Sequence, residues 1–391
     1  PGTIHAMSRA AQMVNRAALS GCGLLAATLL VILFAVPSPA GASSTALKSQ
    51  GATASIVNGR NTTIGEWPWQ VALTVSRQVA PRALTSRRFF CGGSILAPRL
   101  VITAGHCVAD LNRRQIRRIE IVSGRTRLNS NRGEVARVTG LRMPVDSAGK
   151  RRYKTLLGAA DWDVALLTLA TPLSSEPIKL AGPDEAGTWS PGHIAWTTGW
   201  GITKAFANRV PANLQVATQV LMGKGLCRRT DGIAFQATRM VCIGGPRGHT
   251  SACNGDSGGP LVVATSEGYR LVGLTSYGDG ACRGFVPSVD TKVSGVPIRN
   301  WVRVTAMNLT GRDVVGSGGT AGPVRQWCKV PAIFGLKTVQ AKRRLEAANC
   351  RLGRVRTDPW GAGRSGRVIG YSRLPGWLAP SGFKLNVWVS P

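Results

Sequence analysis

The stretch Gly255-Asp256-Ser257-Gly258-Gly259-Pro260 decides how this 391-residue chain is read. A serine hydroxyl is a weak nucleophile until a neighbouring base takes its proton, a carboxylate orients that base, and donors await the oxyanion that develops. Upstream, Thr103-Ala104-Gly105-His106-Cys107 offers the base and Asp163-Val164-Ala165-Leu166-Leu167 the carboxylate, so His, Asp and Ser follow in that order. One Gly-x-Ser-Gly-Gly arises readily among 48 glycines; three such contexts in order do not arise by accident. Of the four histidines, His5 falls in a leader, and neither His193 nor His249 has a catalytic context. Asp161 competes with Asp163, but the apolar strand begins directly after Asp163, which leaves Asp161 as a solvated loop residue.

These motifs resemble the trypsin and chymotrypsin family of serine proteases. The likeness runs from residue 56 to about 309, through Ile56-Val57-Asn58-Gly59, Gly199-Trp200-Gly201 and Thr275-Ser276-Tyr277-Gly278. It implies a mostly β, two-barrel domain with a C-terminal helix, and a serine endopeptidase that passes through an acyl-enzyme. Ser257 is then the nucleophile, His106 the base and later the acid, and Asp163 the residue that holds the imidazole tautomer. The backbone N–H groups of Gly255 and Ser257 are the expected oxyanion hole, and glycine at 255 leaves room for the arriving carbonyl.

The same resemblance makes Ile56 a new N-terminus whose ammonium pairs with Asp256. The preceding residue is Ser55, neither Lys nor Arg, so a trypsin-like activator does not fit. The implied substrate pocket comprises Ser251, Ser276, Gly278, Ser288 and Asp290. Ser251 stands on the floor where trypsin-like members carry Asp, and Gly278 opens one wall, which favours an uncharged, apolar residue before the scissile bond. Ser288 narrows the pocket, and Asp290, where the family often has Tyr, keeps Arg or Lys selectivity open. The implied disulfides are Cys91–Cys107, Cys227–Cys242 and Cys253–Cys282.

Independently of that likeness, short apolar and β-branched runs separated by Gly, Pro, Asn and Ser favour an all-β barrel or sandwich between 56 and 309. Examples are Trp69 to Val75, Ile119 to Val122, Val164 to Leu169 and Tyr269 to Leu274. Ile298, Trp301, Val302 and Val304 fall near helical spacing and predict a terminal helix over Pro297 to Leu309, with a further strand as the alternative. Ser123 to Gly140 contains one acidic residue, Glu134, too few oxygen ligands for the calcium loop of many animal relatives. With no H-E-x-x-H or paired Cys-x-x-Cys, no metal or cofactor is expected. The basic loops Ser76 to Phe90 and Gly140 to Leu157 are either substrate contacts or solvated insertions.

From Met7 the order is Arg9 and Arg16, an uncharged apolar stretch from Gly21 to Val36, then Pro37, Pro39 and Ala40-Gly41-Ala42. That order describes a signal peptide over 1–42 rather than a membrane anchor, since the apolar run is short for spanning a bilayer. The six residues before Met7 read as upstream translation. Residues 43–55 read as a propeptide. Removing the leader discards Cys22 and leaves eight cysteines, an even number that suits a secreted, oxidised, extracellular protein.

Gly311 to Gly322 is rich in Gly and small residues and reads as a flexible linker, placed at 310–322. Residues 323–391 form a separate small α+β unit with an opening Val330-Pro331, a helix from Thr338 to Asn349 and an alternating strand through Phe383, Leu385, Val387 and Val389. Val330-Pro331, Gly335-Leu336, Ala341 through Ala348, Gly353, Gly366 to Ile369 and Pro375-Gly376 resemble a PASTA domain, a module of bacterial cell-wall-associated proteins; an unrelated appendage is the alternative. Cys328 and Cys350 leave a fourth disulfide.

The formal charge of +31 is spread along the chain: 32 basic against 15 acidic residues between 56 and 308, and 13 against 2 between 323 and 391. It either keeps the protein soluble or attracts an anionic polymer. No helix-turn-helix, zinc-finger or RNA-binding motif argues for specific nucleic-acid recognition. The expected partners are protein or peptide substrates, with peptidoglycan or anionic wall polymers for the C-terminal unit and no stable membrane span after leader removal. A catalytically silent relative acting as a wall-binding or adhesion protein is the competing reading, and the intact triad opposes it.

Overall fold

The computed structural model describes residues 59–203, 209–244, 253–278, 282, 287–320, 327–359, 365–373, 375, 378–380 and 383–391. The leader, the propeptide, Ile56, His249 and Ser251 lie outside the described residues.

Alternating apolar runs close into a first barrel of six antiparallel strands: β1 (Gln70–Val75), β2 (Phe89–Ala97), β3 (Leu100–Thr103), β4 (Ile119–Ser123), β5 (Glu134–Arg142) and β6 (Ala165–Leu169). Their order around the barrel is β1-β2-β3-β6-β5-β4. A second barrel is built from β7 (Ile194–Gly199), β8 (Gln215–Leu221), β9 (Met240–Gly244), β10 (Pro260–Thr265), β11 (Gly268–Tyr277) and β12 (Ser288–Thr291). Its order is β8-β7-β10-β11-β12-β9, closed by the pairing of β8 with β9. Counted from its own first strand, each barrel has the same cyclic order. Closure removes the exposed sheet edges that an open sheet would leave. Leu73, Ile95, Ile102, Ile119, Ile121, Leu166 and Leu167 fill the first barrel with no exposed surface, and Leu261, Val263, Val272 and Ile243 cluster in the second.

The barrels meet closely because β2 carries Gly92. A Cβ there would lie 3.0 Å from the Gly259 backbone, and the Gly92 N–H donates to the Ser257 carbonyl at 2.8 Å. Thr198 Oγ1 donates to Gln70 Oε1 at 2.6 Å from the other side of the seam.

The terminal helix α1 (Val296–Thr310) has Pro297 in its first turn and stops at Gly311, whose φ of 67° supplies the left-handed cap. It buries Ile298, Arg299, Val302 and Ala306, while Val304, expected on the apolar stripe, is exposed. The segment read as a flexible linker differs from that expectation: residues 312–320 form a strap along the second barrel. Leu180 exchanges hydrogen bonds with Val314 and Gly316. Asp184 accepts from the Gly318 N–H, Glu185 from that of Gly319, and the Thr320 N–H donates to Ser266 Oγ. Glu185 is fully buried and also paired with Arg270 at 2.8 Å, so the strap closes over a buried ion pair.

Beyond it, β13 (Trp327–Lys329) pairs with β16 (Leu378–Pro380), and β17 (Phe383–Val389) runs between β14 (Cys350–Thr357), parallel, and β15 (Val368–Tyr371), antiparallel. Helix α2 (Thr338–Ala347) lays Ala341 and Leu345 against Val330, Ile333, Val368, Leu385 and Val387. This small α+β unit has a core of its own. Four disulfides are present: Cys91–Cys107, Cys227–Cys242, Cys253–Cys282 and Cys328–Cys350. Among the described residues no helix is long and apolar enough to cross a membrane.

Candidate active site

Each of the three motifs lies at a strand end facing the seam. His106 is in the short turn Gly105–Cys107 after β3, Asp163 lies two residues before the start of β6, and Ser257 is in the turn before β10. Asp163 has no exposed surface. Its Oδ1 accepts the His106 N–H at 2.6 Å, and its Oδ2 meets His106 Nδ1 at 2.8 Å and accepts the Ser276 hydroxyl. Burial pulls the Asp163 carboxyl up, but the facing imidazole and these hydrogen bonds outweigh it and hold it below the usual carboxylate range. Burial likewise pulls His106 down, and the Asp163 charge and hydrogen bond win, leaving it raised above 6.5. Such an imidazole has its Nδ1 side fixed and its other nitrogen available for proton transfer.

The nucleophile turn is shaped by glycine at two places. Gly255 has φ of +99° and would bring a Cβ to 3.1 Å from Gly201 Cα, and Gly258, at +75°, would run a Cβ into Thr103 Oγ1 and the Gly92 carbonyl. Among the described residues neither the Gly255 nor the Ser257 N–H donates to a protein acceptor. The Cys91, His106 and Cys107 ligand atoms lie within 4.8 Å of one another, but both sulfurs are consumed in the Cys91–Cys107 disulfide and neither is a thiolate.

Asp256 is fully buried and accepts from the N–H groups of Gly201 and Cys253 at 2.8 and 3.0 Å. Burial pushes its carboxyl up to about 6 against those two hydrogen bonds. Ser276, expected by resemblance in the substrate pocket, turns its hydroxyl to Asp163. Gly278 is exposed at the end of β11, and a Cβ there would meet Ser288 Oγ at 3.0 Å. Asp290, on β12 opposite Thr275, has no exposed surface, and among the described residues neither of its oxygens has a hydrogen-bond partner. Burial first and the Asp256 charge second push it up to about 8.

Three residues here escaped the sequence reading. Asp161, expected to be a solvated loop residue, is 7% exposed and bound by both oxygens to Arg239 of the second barrel, at 2.7 and 2.8 Å. Trp162 lies under the guanidinium groups of Arg152 and Arg239. Thr291 Oγ1 donates to the Asp163 carbonyl at 2.8 Å. The basic loop before Phe90 also departs from a purely solvated insertion, since Arg88 is buried against Glu120 at 2.9 Å.

Two six-stranded barrels with a buried carboxylate, an imidazole and a glycine-bounded serine at their seam define the chymotrypsin-like class of serine hydrolases. The trypsin family model matches residues 56–302. A trypsin from Saccharopolyspora erythraea is 36% identical over 238 residues, covering 61% of this chain and 93% of that protein. Human transmembrane protease serine 5 is 30% identical over 256 residues, 65% of this chain and 52% of its own length. Rat transmembrane protease serine 9 is 32% identical over 256 residues, 64% and 22% respectively. The chain thus spans about half of one transmembrane protease and about a fifth of the other. It belongs to the trypsin family and is a serine endopeptidase, a hydrolase of peptide bonds; its disulfide-rich barrels fit an extracellular protein.

Proposed function

We propose that the chain is a secreted endopeptidase in which Ser257, His106 and Asp163 act as the triad, and which residues 323–391 hold at the bacterial cell wall as a PASTA-like module. The observation that carries the catalytic part is the doubly hydrogen-bonded contact of Asp163 with His106, reinforced by Ser276. Ser257 Oγ attacks the scissile carbonyl as His106 takes its proton; the C–N bond breaks as His106 returns that proton to the leaving amine; water then hydrolyses the acyl-enzyme by the same route. The Gly255 and Ser257 N–H groups stabilise the oxyanion, each typically worth about 2.7–4 kcal/mol. A fluorophosphonate probe should label the mature protein at Ser257 and leave Ser257→Ala unlabelled. Absence of labelling in folded, mature wild type would return the protein to the silent class.

For activation, Ile56 freed after Ser55 pairs with Asp256 and orders the oxyanion turn. N-terminal sequencing of active enzyme should begin at Ile56. For specificity, the resemblance that puts Ser251, Gly278, Ser288 and Asp290 in the substrate pocket, together with an Asp290 that is neutral near pH 7, supports an uncharged, apolar residue before the scissile bond. Chromogenic peptides ending in Phe, Leu or Arg decide it, and a strong Arg preference at pH 7 overturns it. For wall attachment, the charge of residues 323–391 and their independent core support capture of peptidoglycan or anionic wall polymer. The mature protein should sediment with purified peptidoglycan, less at higher salt, and a chain stopped at Gly319 should not.

A further inference from the structure

Asp163 is delivered to His106 by a turn in which Trp162 has a φ of +53°. A bulky side chain rarely adopts that left-handed conformation, so something outside the backbone must hold it. The local bonds are modest: Asp161 Oδ1 accepts the Trp162 N–H at 2.9 Å, and the Val164 N–H donates to the Trp162 carbonyl at 2.9 Å. The stronger contacts come from outside the turn. Arg239 binds both oxygens of Asp161 through Nε and Nη2, with the two side chains only 20% and 9% exposed. Its guanidinium lies 5.4 Å from the Trp162 ring centroid, and that of Arg152 lies 4.7 Å from it. A bidentate guanidinium–carboxylate pair fixes orientation as well as distance.

Arg239 directly precedes β9, and its carbonyl accepts the Lys292 N–H at 2.7 Å. Met240 pairs with Thr291, whose hydroxyl holds the Asp163 carbonyl. Two neighbouring points of the second barrel therefore grip residues 161–163 of the first, on the same side of the seam as Ser257 and Ser276.

We propose that Arg239 is a positioning residue for proteolysis, clamping Asp161 and Trp162 so that the strained turn presents Asp163 to His106. The inference rests on the assignment of Asp163 as the triad acid. Arg239 touches no reacting atom; it acts through the turn. Releasing it lets Trp162 relax and swings the carboxylate off the imidazole, so the effect falls on the chemical step and not on substrate binding.

The test uses the full mature protein and a small peptide substrate, with Arg239→Ala, Arg239→Lys, Asp161→Asn and Asp163→Asn compared with wild type. The expected result is a fall in kcat of roughly 10- to 100-fold for Arg239→Ala and Asp161→Asn, with KM within about twofold, because small misplacements of a catalytic group cost rate on that order. Arg239→Lys recovers part of it, and the double variant Arg239→Ala/Asp161→Asn is no worse than either single one. The acid limb of kcat/KM separates positioning from simple charge. Losing the Arg239 cation would by itself raise the His106 pKa, and losing the Asp161 anion would lower it. Displacement of Asp163 from His106 lowers it in both variants, so both acid limbs should move to lower pH. A folded Arg239→Ala or Asp161→Asn protein with kcat within twofold of wild type, or acid limbs moving in opposite directions, overturns the clamp. If Arg239→Ala does not fold, Arg239→Lys and Asp161→Asn carry the decision. Full activity in Asp163→Asn would topple the triad assignment itself, whereas a dead Asp163→Asn beside a normal Arg239→Ala topples only the clamp.

Discussion

Asp163 and Asp290 are both carboxylates without exposed surface, yet the molecule treats them in opposite ways. Asp163 receives the His106 N–H, faces His106 Nδ1, accepts the Ser276 hydroxyl, and is held below the usual carboxylate range. Asp290 receives no hydrogen bond among the described residues and rises to about 8. Burial sets the cost of the charge in both cases, and the donors decide whether it is kept. One acid is therefore ionised and oriented at neutral pH, and the other carries its proton.

The largest effect expected from that contrast is at Asp163. Asp163→Asn keeps the shape but reverses the tautomer preference of His106, and kcat should fall on the order of 10⁴-fold. A loss of only tenfold would mean that the carboxylate does not set the imidazole. Asp290 should behave the other way, as a drain on stability that substitution relieves. A folded pKa raised from 3.8 to about 8 means that its contribution to stability is fully present below about pH 4 and is lost as pH rises to about 8. Asp290→Asn should then gain on wild type by about 1.4 kcal/mol per pH unit across that window, read from urea unfolding at pH 4, 6 and 8. A gain that does not grow with pH would show that Asp290 is paired in solution.

A smaller effect sharpens the first site. The acid limb of kcat/KM should lie above pH 6.5, since His106 is raised, and Ser276→Ala should shift it by leaving Asp163 with one donor fewer. The smallest concerns the pocket: the ratio of kcat/KM for Arg over Phe peptides should rise several-fold as the medium passes about pH 8 and Asp290 ionises. Asp290→Asn should flatten that rise.

The barrels and the three motifs were legible in sequence because their signals are local. Short apolar and β-branched runs such as Ile119 to Val122 or Tyr269 to Leu274 mark strands without reference to anything distant, and the glycines around Ser257 mark a turn that only they permit. The Arg239–Asp161 pair spans 78 positions and leaves no local trace, which is why Asp161 read as solvated. Asp290 could be placed by resemblance, but what faces its carboxylate depends on β9 and β11, which flank its strand. The strap misled for a related reason. Gly316, Gly318 and Gly319 read as flexible by composition, whereas their order comes from backbone bonds to Leu180, Asp184 and Glu185.

That strap also sets the reach of the molecule. Residues up to Thr320 are bonded to the second barrel, and the first described strand of the C-terminal unit begins at Trp327. Seven steps of fully extended chain cover no more than about 25 Å. The C-terminal unit therefore starts close beside the second barrel, more like a tool bolted to its bench than one swung on a long leash.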